Sequence, residues 1–261
     1  MNSVNKTLYI PLYGKAYVSK RGLFLKDEKA EEIWAAEVFP LKGKSKSKWL
    51  AFYMGIRSAV FDEWLADKMQ ELPDAVILHV GCGMDSRILR VGAKNHRWYD
   101  VDFAEVIEER KRYYQASDDY QMLIGDARNG EFLTQIPNAK TVIVLMEGVS
   151  MYLTTEELQA FTARLNEQFE RVVLLMDCYT KKAAKWSKLR NPVKDVGVTS
   201  VYGIDDPLLM ESGELKFVKE CEMTPSKYVE QLRGAEKFFF RKLYAGKLSK
   251  KLYRLFAYEK A

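Results

Sequence analysis

The sequence predicts an α/β fold, a single open and mostly parallel sheet with helices on both faces, preceded by a helical cap. Three observations carry this. The apolar run 75–80 ends in Gly81-Cys82-Gly83 and passes into a helical pattern. Three further strand-like runs each end in an acid, at steps of roughly 20 to 25 residues, the length of one strand-plus-helix crossover in a parallel sheet. Residues 1–73 show helical periodicity but no strand–helix alternation.

Taken in order, 27–39 places acids in a first turn before an apolar stripe. Residues 50–72 space Phe52, Ile56, Val60, Trp64 and Leu65 along one helix. Between them, Lys42 to Lys48 alternates lysine with glycine and serine and reads as a mobile surface connection. After Pro73 the alternation begins: strand 75–80, helix near 84–94, strand 96–102, helix near 104–115, strand 120–125 and a short helix. Strand 141–147, helix 155–169 and strand 171–177 follow. Thr154 or Thr155 caps the helix over 155–169, with Glu156 and Glu157 in its first turn. The last strands are 215–223 and 252–259, joined by a basic helical stretch. Asn-Pro, Gly and Asp-Asp-Pro turns in 178–214 break the rhythm, and such an insertion overhangs the sheet edge where open α/β folds bind ligands. The expected division is a cap or lid over 1–73 and a Rossmann-like domain over 74–261, with an inserted lid segment at about 178–214.

The chemistry is expected on that edge. A glycine turn lets a ligand lie against bare backbone, because no Cβ holds it away. Ser86 stands where the third glycine of a dinucleotide fingerprint would fall, which disfavours a pyrophosphate loop. Asp102, Asp126 and Glu147 end successive strands, so parallel crossovers gather three carboxylates beside the glycines. Carboxylate acceptors suit a ribose diol and an exocyclic amine and repel phosphate. The ligand implied is a cationic nucleoside without phosphate, a description that S-adenosylmethionine fits. The plainer reading of any one of these acids is a helix cap or an Asx turn; the glycine turn and the regular spacing together favour the cofactor.

Composition narrows the rest. At 261 residues and 48% hydrophobic content the chain can bury one large core. His79 and His96 sit on or beside strands, and Cys82, Cys178 and Cys221 lack C-x-x-C spacing, so neither a metal site nor a disulfide framework is expected. No apolar run approaches the ~20 residues needed to span a bilayer, and the reading is a cytoplasmic protein with no membrane partner. The net charge of +5 is uneven, −3 over residues 1–180 and +8 over 181–261. A basic C-terminal third reads first as a solvated helix face.

Four separated motifs occur in order: Leu8-Tyr9-Ile10-Pro11-Leu12-Tyr13-Gly14-Lys15-Ala16, Val80-Gly81-Cys82-Gly83-Met84-Asp85-Ser86-Arg87, Trp98-Tyr99-Asp100-Val101-Asp102-Phe103 and Glu147-Gly148-Val149-Ser150-Met151-Tyr152-Leu153-Thr154. Together they resemble the leucine carboxyl methyltransferase superfamily, above all its bacterial branch of tetracenomycin-type polyketide carboxyl O-methyltransferases. The resemblance spans about 7–180. It implies a class I S-adenosylmethionine-dependent methyltransferase, with a Rossmann-like seven-stranded sheet whose last strand is antiparallel. It further implies that Gly81 and Gly83 underlie the methionine part of the cofactor, Asp102 the ribose and Asp126 the adenine amine. Glu147 would lie near the methionine end, Lys15 and Arg57 at the cofactor carboxylate, and Tyr152 as a wall of the acceptor pocket.

The reaction implied is O-methylation of a carboxylate on a small molecule, polyketide-like or another organic acid, with S-adenosylhomocysteine as product. A carboxylate is ionised at neutral pH and needs no general base, and neither histidine is expected at the C-terminal end of a strand. The alternatives are a phenol or nucleic-acid methyltransferase and a non-catalytic S-adenosylmethionine-binding protein. Against nucleic acid, Glu147-Gly148-Val149-Ser150 lacks the Asn/Asp-Pro-Pro-aromatic clamp for a base amine. Lys181, Lys182, Lys185, Lys188 and Arg190 are the cations expected beside the acceptor.

Overall fold

A computed structural model describes residues 5–39, 41, 43–136, 139–187 and 200–261. Seven strands form one sheet: β1 (Val76–Val80), β2 (Trp98–Asp102), β3 (Tyr120–Ile124), β4 (Thr141–Met146), β5 (Arg171–Tyr179), β6 (Lys216–Cys221) and β7 (Tyr253–Lys260). Their order is β3-β2-β1-β4-β5-β7-β6. The first five are parallel, while β7 runs antiparallel to both β5 and β6. The central strands are continuous apolar runs because both faces are covered; every residue of β1 is buried.

Alternate residues of these strands feed two cores. Ile77, Leu145 and Leu175 face one core, which also holds the N-terminal helices. Val76, Leu78 and Val144 face the other, with Phe132, Phe161 and Leu165. The N-terminal helices are α1 (Tyr9–Lys20), α2 (Glu28–Ala36) and α3 (Lys48–Glu71). Residues 51–61 of α3 are buried all round, as a helix packed between layers must be. Where α1 crosses α3, a Cβ on Gly14 would come 2.7 Å from Met54 Cβ, and one on Gly55 would come 2.7 Å from Val18 Cγ2. Both glycines are there to let the two backbones meet.

Several sequence expectations shift. α1 was legible only as a motif, because Pro11 and Gly14 weaken its helical pattern. The stretch from Gly43 to Lys48 is ordered: a 3₁₀ turn spans Gly43–Lys46 with Ser45 buried, and Ser47 Oγ caps α3 by accepting from Leu50 N at 3.2 Å. Lys42 lies outside the described residues. The next helices are shorter than their patterns, α4 over Arg87–Val91 and α5 over Ala104–Arg110. Gly92, at φ +78°, stops α4. Helix α6 (Thr155–Gln168) begins with a full capping box between Thr154 and Glu157. Helix α7 (Lys181–Ser187) follows β5, and α8 (Ser226–Val229), α9 (Gly234–Leu243) and α10 (Lys247–Lys250) fill the basic stretch before β7. Among the described residues, no helix is long and apolar enough to cross a membrane.

Candidate active site

Register lines up the edge. Val80 pairs with Val101 on one side and with Met146 on the other, and Met146 pairs with Met176. The next residues, Gly81, Asp102, Glu147 and Asp177, therefore stand in a row, the first three at the carboxyl ends of β1, β2 and β4 and Asp177 two residues before the end of β5. Successive strands are added on one side from β1 to β3 and on the other from β4 onward, so the strand order reverses between β1 and β4, the place where open α/β sheets leave a crevice. A cavity of about 340 Å³ opens there, and Lys15, Arg57, Gly81, Gly83, Asp102, Asp126, Glu147 and Tyr152 all line it. The structure thus brings these eight residues, expected from the sequence at the cofactor or the acceptor, to one cavity.

The glycine turn is held by its backbone. Gly81 has φ +67° and a Cβ there would overlap Val149, while Gly83 has φ +51°. Gly81 N donates to Val101 O at 2.7 Å. Asp102 accepts from Gly83 N and from Phe103 N, each at 2.8 Å, so this carboxylate fixes the turn as well as facing the cavity. Burial raises its pKa despite those two donors. Asp126 accepts from Arg128 N and Nε at 2.9 Å.

Beneath the cavity lies a buried charge network that joins the N-terminal helices to α4 and the sheet. Lys15 of α1 pairs with Asp85 at 2.8 Å, and Arg87 and Arg90 of α4 pair with the same carboxylate. Both arginines also hold Asp62 of α3, and Arg90 reaches Asp27 at 2.6 Å. Arg57 Nε donates to Glu147 at 2.9 Å, and its Nη1 donates to Asp177 at 3.0 Å and to Tyr253 Oη at 2.7 Å. Arg87 Nη2 also donates to Glu147. Burial pushes the Glu147 carboxyl up, but the guanidinium groups of Arg87 and Arg57 outweigh it and hold the pKa at about 2. Asp177, whose Oδ1 accepts from Gly148 N at 2.7 Å, is raised by burial.

Asp27, Asp62, Arg90, Asp177 and Tyr253 are not expected from the sequence, and Asp85 and Arg87 stand in its second motif with no role implied. Only Asp177, an acid ending the next predicted strand, carried a readable signal. His79 was placed away from the strand ends, yet it stands one residue before the end of β1 and lines the cavity. Its Nε2 lies 3.3 Å from Arg87 Nη1, which can only donate, so Nε2 accepts and Nδ1 carries the hydrogen toward Asp100 at 3.2 Å. Asp100 is fully buried among His79, Trp98, Arg110 and Tyr120, away from the cavity. Lys181, Lys182 and Lys185 are exposed and do not line the cavity; Lys188 and Arg190 lie outside the described residues.

Four cations, Lys15, Arg57, Arg87 and Arg90, meet five carboxylates, Asp27, Asp62, Asp85, Glu147 and Asp177, in this network. A surplus of negative charge, two further acids and a bare glycine turn suit a nucleoside with a cationic centre and oppose a pyrophosphate. Sheet order, turn and acid row define an S-adenosylmethionine-dependent methyltransferase. Residues 11–166 match the leucine carboxyl methyltransferase family, and the chain belongs to it. It is 30% identical over 188 residues to the tetracenomycin polyketide synthesis O-methyltransferase TcmP of Streptomyces glaucescens, covering 70% of this chain and 68% of that one. It is 28% identical over 184 residues to the S-adenosyl-L-methionine-dependent methyltransferase dpfgK of Gibberella zeae, covering 65% of this chain and 62% of that one. The magnesium protoporphyrin IX methyltransferase of Synechocystis PCC 6803, solved with bound SAH, shares the fold. Its TM-score is 0.51 at 13% identity, over 90% of this chain and 94% of that one.

Proposed function

We propose that this methyltransferase acts on a carboxylate oxygen of a small organic acid. The observation that carries the proposal is the state of the potential bases at the methionine end of the cavity, Asp102 and Asp126 being taken up in this reading by the cofactor's ribose and adenine. His79 has its acceptor nitrogen engaged by Arg87. Glu147, at a pKa of about 2, is a poor proton acceptor. Asp85 is held well below the usual carboxylate range, where burial is outweighed by Arg87, Arg90 and Lys15. Burial pushes up the Cys82 thiol and the Tyr152 and Tyr253 phenols, so they keep their protons. A phenol or amine acceptor calls for a base to take its proton; a carboxylate arrives ionised.

When bound, S-adenosylmethionine supplies a methyl group already activated by its sulfonium. The chain's task is then alignment and exclusion of water, and orientation of this kind can lower a barrier by roughly 7 to 11 kcal/mol. In this reading Gly81 and Gly83 underlie the methionine part, Asp102 accepts from the ribose and Asp126 faces the adenine amine. Lys15 and the second terminal nitrogen of Arg57, which makes none of that residue's hydrogen bonds above, hold the cofactor carboxylate. Tyr152 and its neighbour in the cavity, Tyr253, wall the acceptor. The relative TcmP is named as an O-methyltransferase of polyketide synthesis, which supports oxygen as the accepting atom and a small molecule rather than nucleic acid as partner.

The test is incubation with labelled cofactor and matched pairs of acids and their amides. Base-labile methyl ester from the acids alone is expected. Label on phenols, amines or RNA would overturn the carboxylate assignment and leave the methyltransferase class intact.

A further inference from the structure

Two lysine-rich stretches, Gly43 to Lys48 and α9 to α10, lie apart in sequence and have no part in the reaction described above. The fold brings them together. Lys48 pairs with Glu236 of α9 at 3.0 Å, and the Trp49 ring lies 6.3 Å from the Phe239 ring. The inner face of α9 is fixed by buried Phe240, whose ring stands 6.1 Å from Phe52. Away from Phe240, α9 exposes Phe238 at 61% and, at its C-terminal end, Leu243 at 60%, with exposed Lys242 between them in the chain, and α10 adds Leu248 at 56%. Among the described residues, Lys44, Lys242, Lys247 and Lys251 make no ion pair, while the nearby acids Glu230 and Glu222 already hold Lys237, Arg241 and Lys250.

We propose that this face docks on an anionic lipid bilayer, with the Phe238, Leu243 and Leu248 side chains entering the headgroup boundary. Large exposed apolar side chains are costly to leave in water, and cations interspersed among them match the composition of interfacial segments. Lysine stems can lie along the apolar boundary while their ammonium groups reach phosphate. A second copy of this chain is the poorer occupant, because it would present the same uncompensated positive charge. This association is peripheral, and it needs no spanning helix; among the described residues none is long and apolar enough to cross a membrane. Trp49, which meets Phe239 of α9, is followed in the chain by Leu50, which lines the cavity, so docking would set the N-terminal-helix side of the active site toward the lipid.

The full chain is co-sedimented with phosphatidylcholine vesicles, with and without phosphatidylglycerol. Binding is expected to the mixed vesicles, to weaken as salt is added, and to be far lower on phosphatidylcholine alone. Phe238→Ser combined with Leu243→Ser should reduce the vesicle-bound fraction by about tenfold, while calorimetric affinity for S-adenosylmethionine stays unchanged. Lys242→Glu with Lys247→Glu should abolish the preference for phosphatidylglycerol. Three results would overturn the proposal: sedimentation with neither vesicle, sedimentation indifferent to the double serine variant, or a light-scattering dimer that this variant dissolves. Retention on immobilised polyglutamate without vesicle binding would reassign the face to an acidic protein.

Discussion

Asp100 and Asp102 lie two residues apart on one face of β2, and neighbours in space separate them. Asp100 is enclosed by His79, Trp98, Arg110 and Tyr120; Asp102 reaches the cavity and steadies Gly83. Asp102→Ala is expected to weaken S-adenosylmethionine binding by roughly 1.5 to 3 kcal/mol, the range for a hydrogen bond to a charged group, as read by calorimetry. Asp100→Ala should instead cost roughly 3 to 5 kcal/mol of folding stability, because Arg110 is left buried and unpaired. Denaturant unfolding measures it. Equal effects of the two variants on affinity would remove the distinction. The sequence marked Asp102, Asp126 and Glu147 because each ends a strand. It gave no sign of Asp62 or Asp27, whose importance comes from arginines 25 to 63 residues away along the chain.

At the scale of elements, α1 is the part that ligand should alter most. It supplies Ile10, Pro11, Leu12 and Lys15 to the cavity and is tied to α4 through Lys15 and Asp85. Two charges from separate elements, Lys15 and Arg57, directed at one ligand carboxylate would order both. Deuterium exchange over residues 9–20 is therefore expected to slow when S-adenosylmethionine is added; unchanged exchange there would argue against a closing cap. Helix α6 offers a control away from the ligand. Thr154→Ala removes one half of its capping box and should cost about 1 kcal/mol by thermal or denaturant unfolding, with no change in cofactor affinity.

For the whole molecule, the buried network sets a pH limit. Burial raises Asp100, but Arg110 and His79 outweigh it and hold the carboxyl at about 2, as the arginines hold Glu147 at about 2. Folded values below the unfolded ones, about 3.9 and 4.3, mean that this stability is fully present above those values. It is lost as pH falls toward about 2. Asp102 and Asp177 are shifted upward by burial, so the instability that they cause at neutral pH is relieved as they protonate above about 3.9, before that loss sets in. The net expectation is a melting temperature that falls between about pH 4.5 and 2, followed by circular dichroism. Asp100→Asn should start lower at pH 7 and fall less across that window; an equal fall would discount the Asp100 ion pair as a source of the limit.

The alternation of strands and helices, the glycine turn and the acids at strand ends are legible in the chain alone, because each is written in a short window of periodicity and crossover length. Helix α1 and the ends of α4 and α5 were harder to read, since Pro11, Gly14 and Gly92 set those boundaries through local backbone geometry rather than hydrophobic pattern. Only the tertiary structure decided which charges meet. Arg57 finds Glu147, Asp177 and Tyr253 across 90 to 196 residues of chain, and Lys15 of α1 finds Asp85 just before α4. Strand register and helix packing make those pairings by placing distant residues at one edge, and no local pattern encodes a distance between elements.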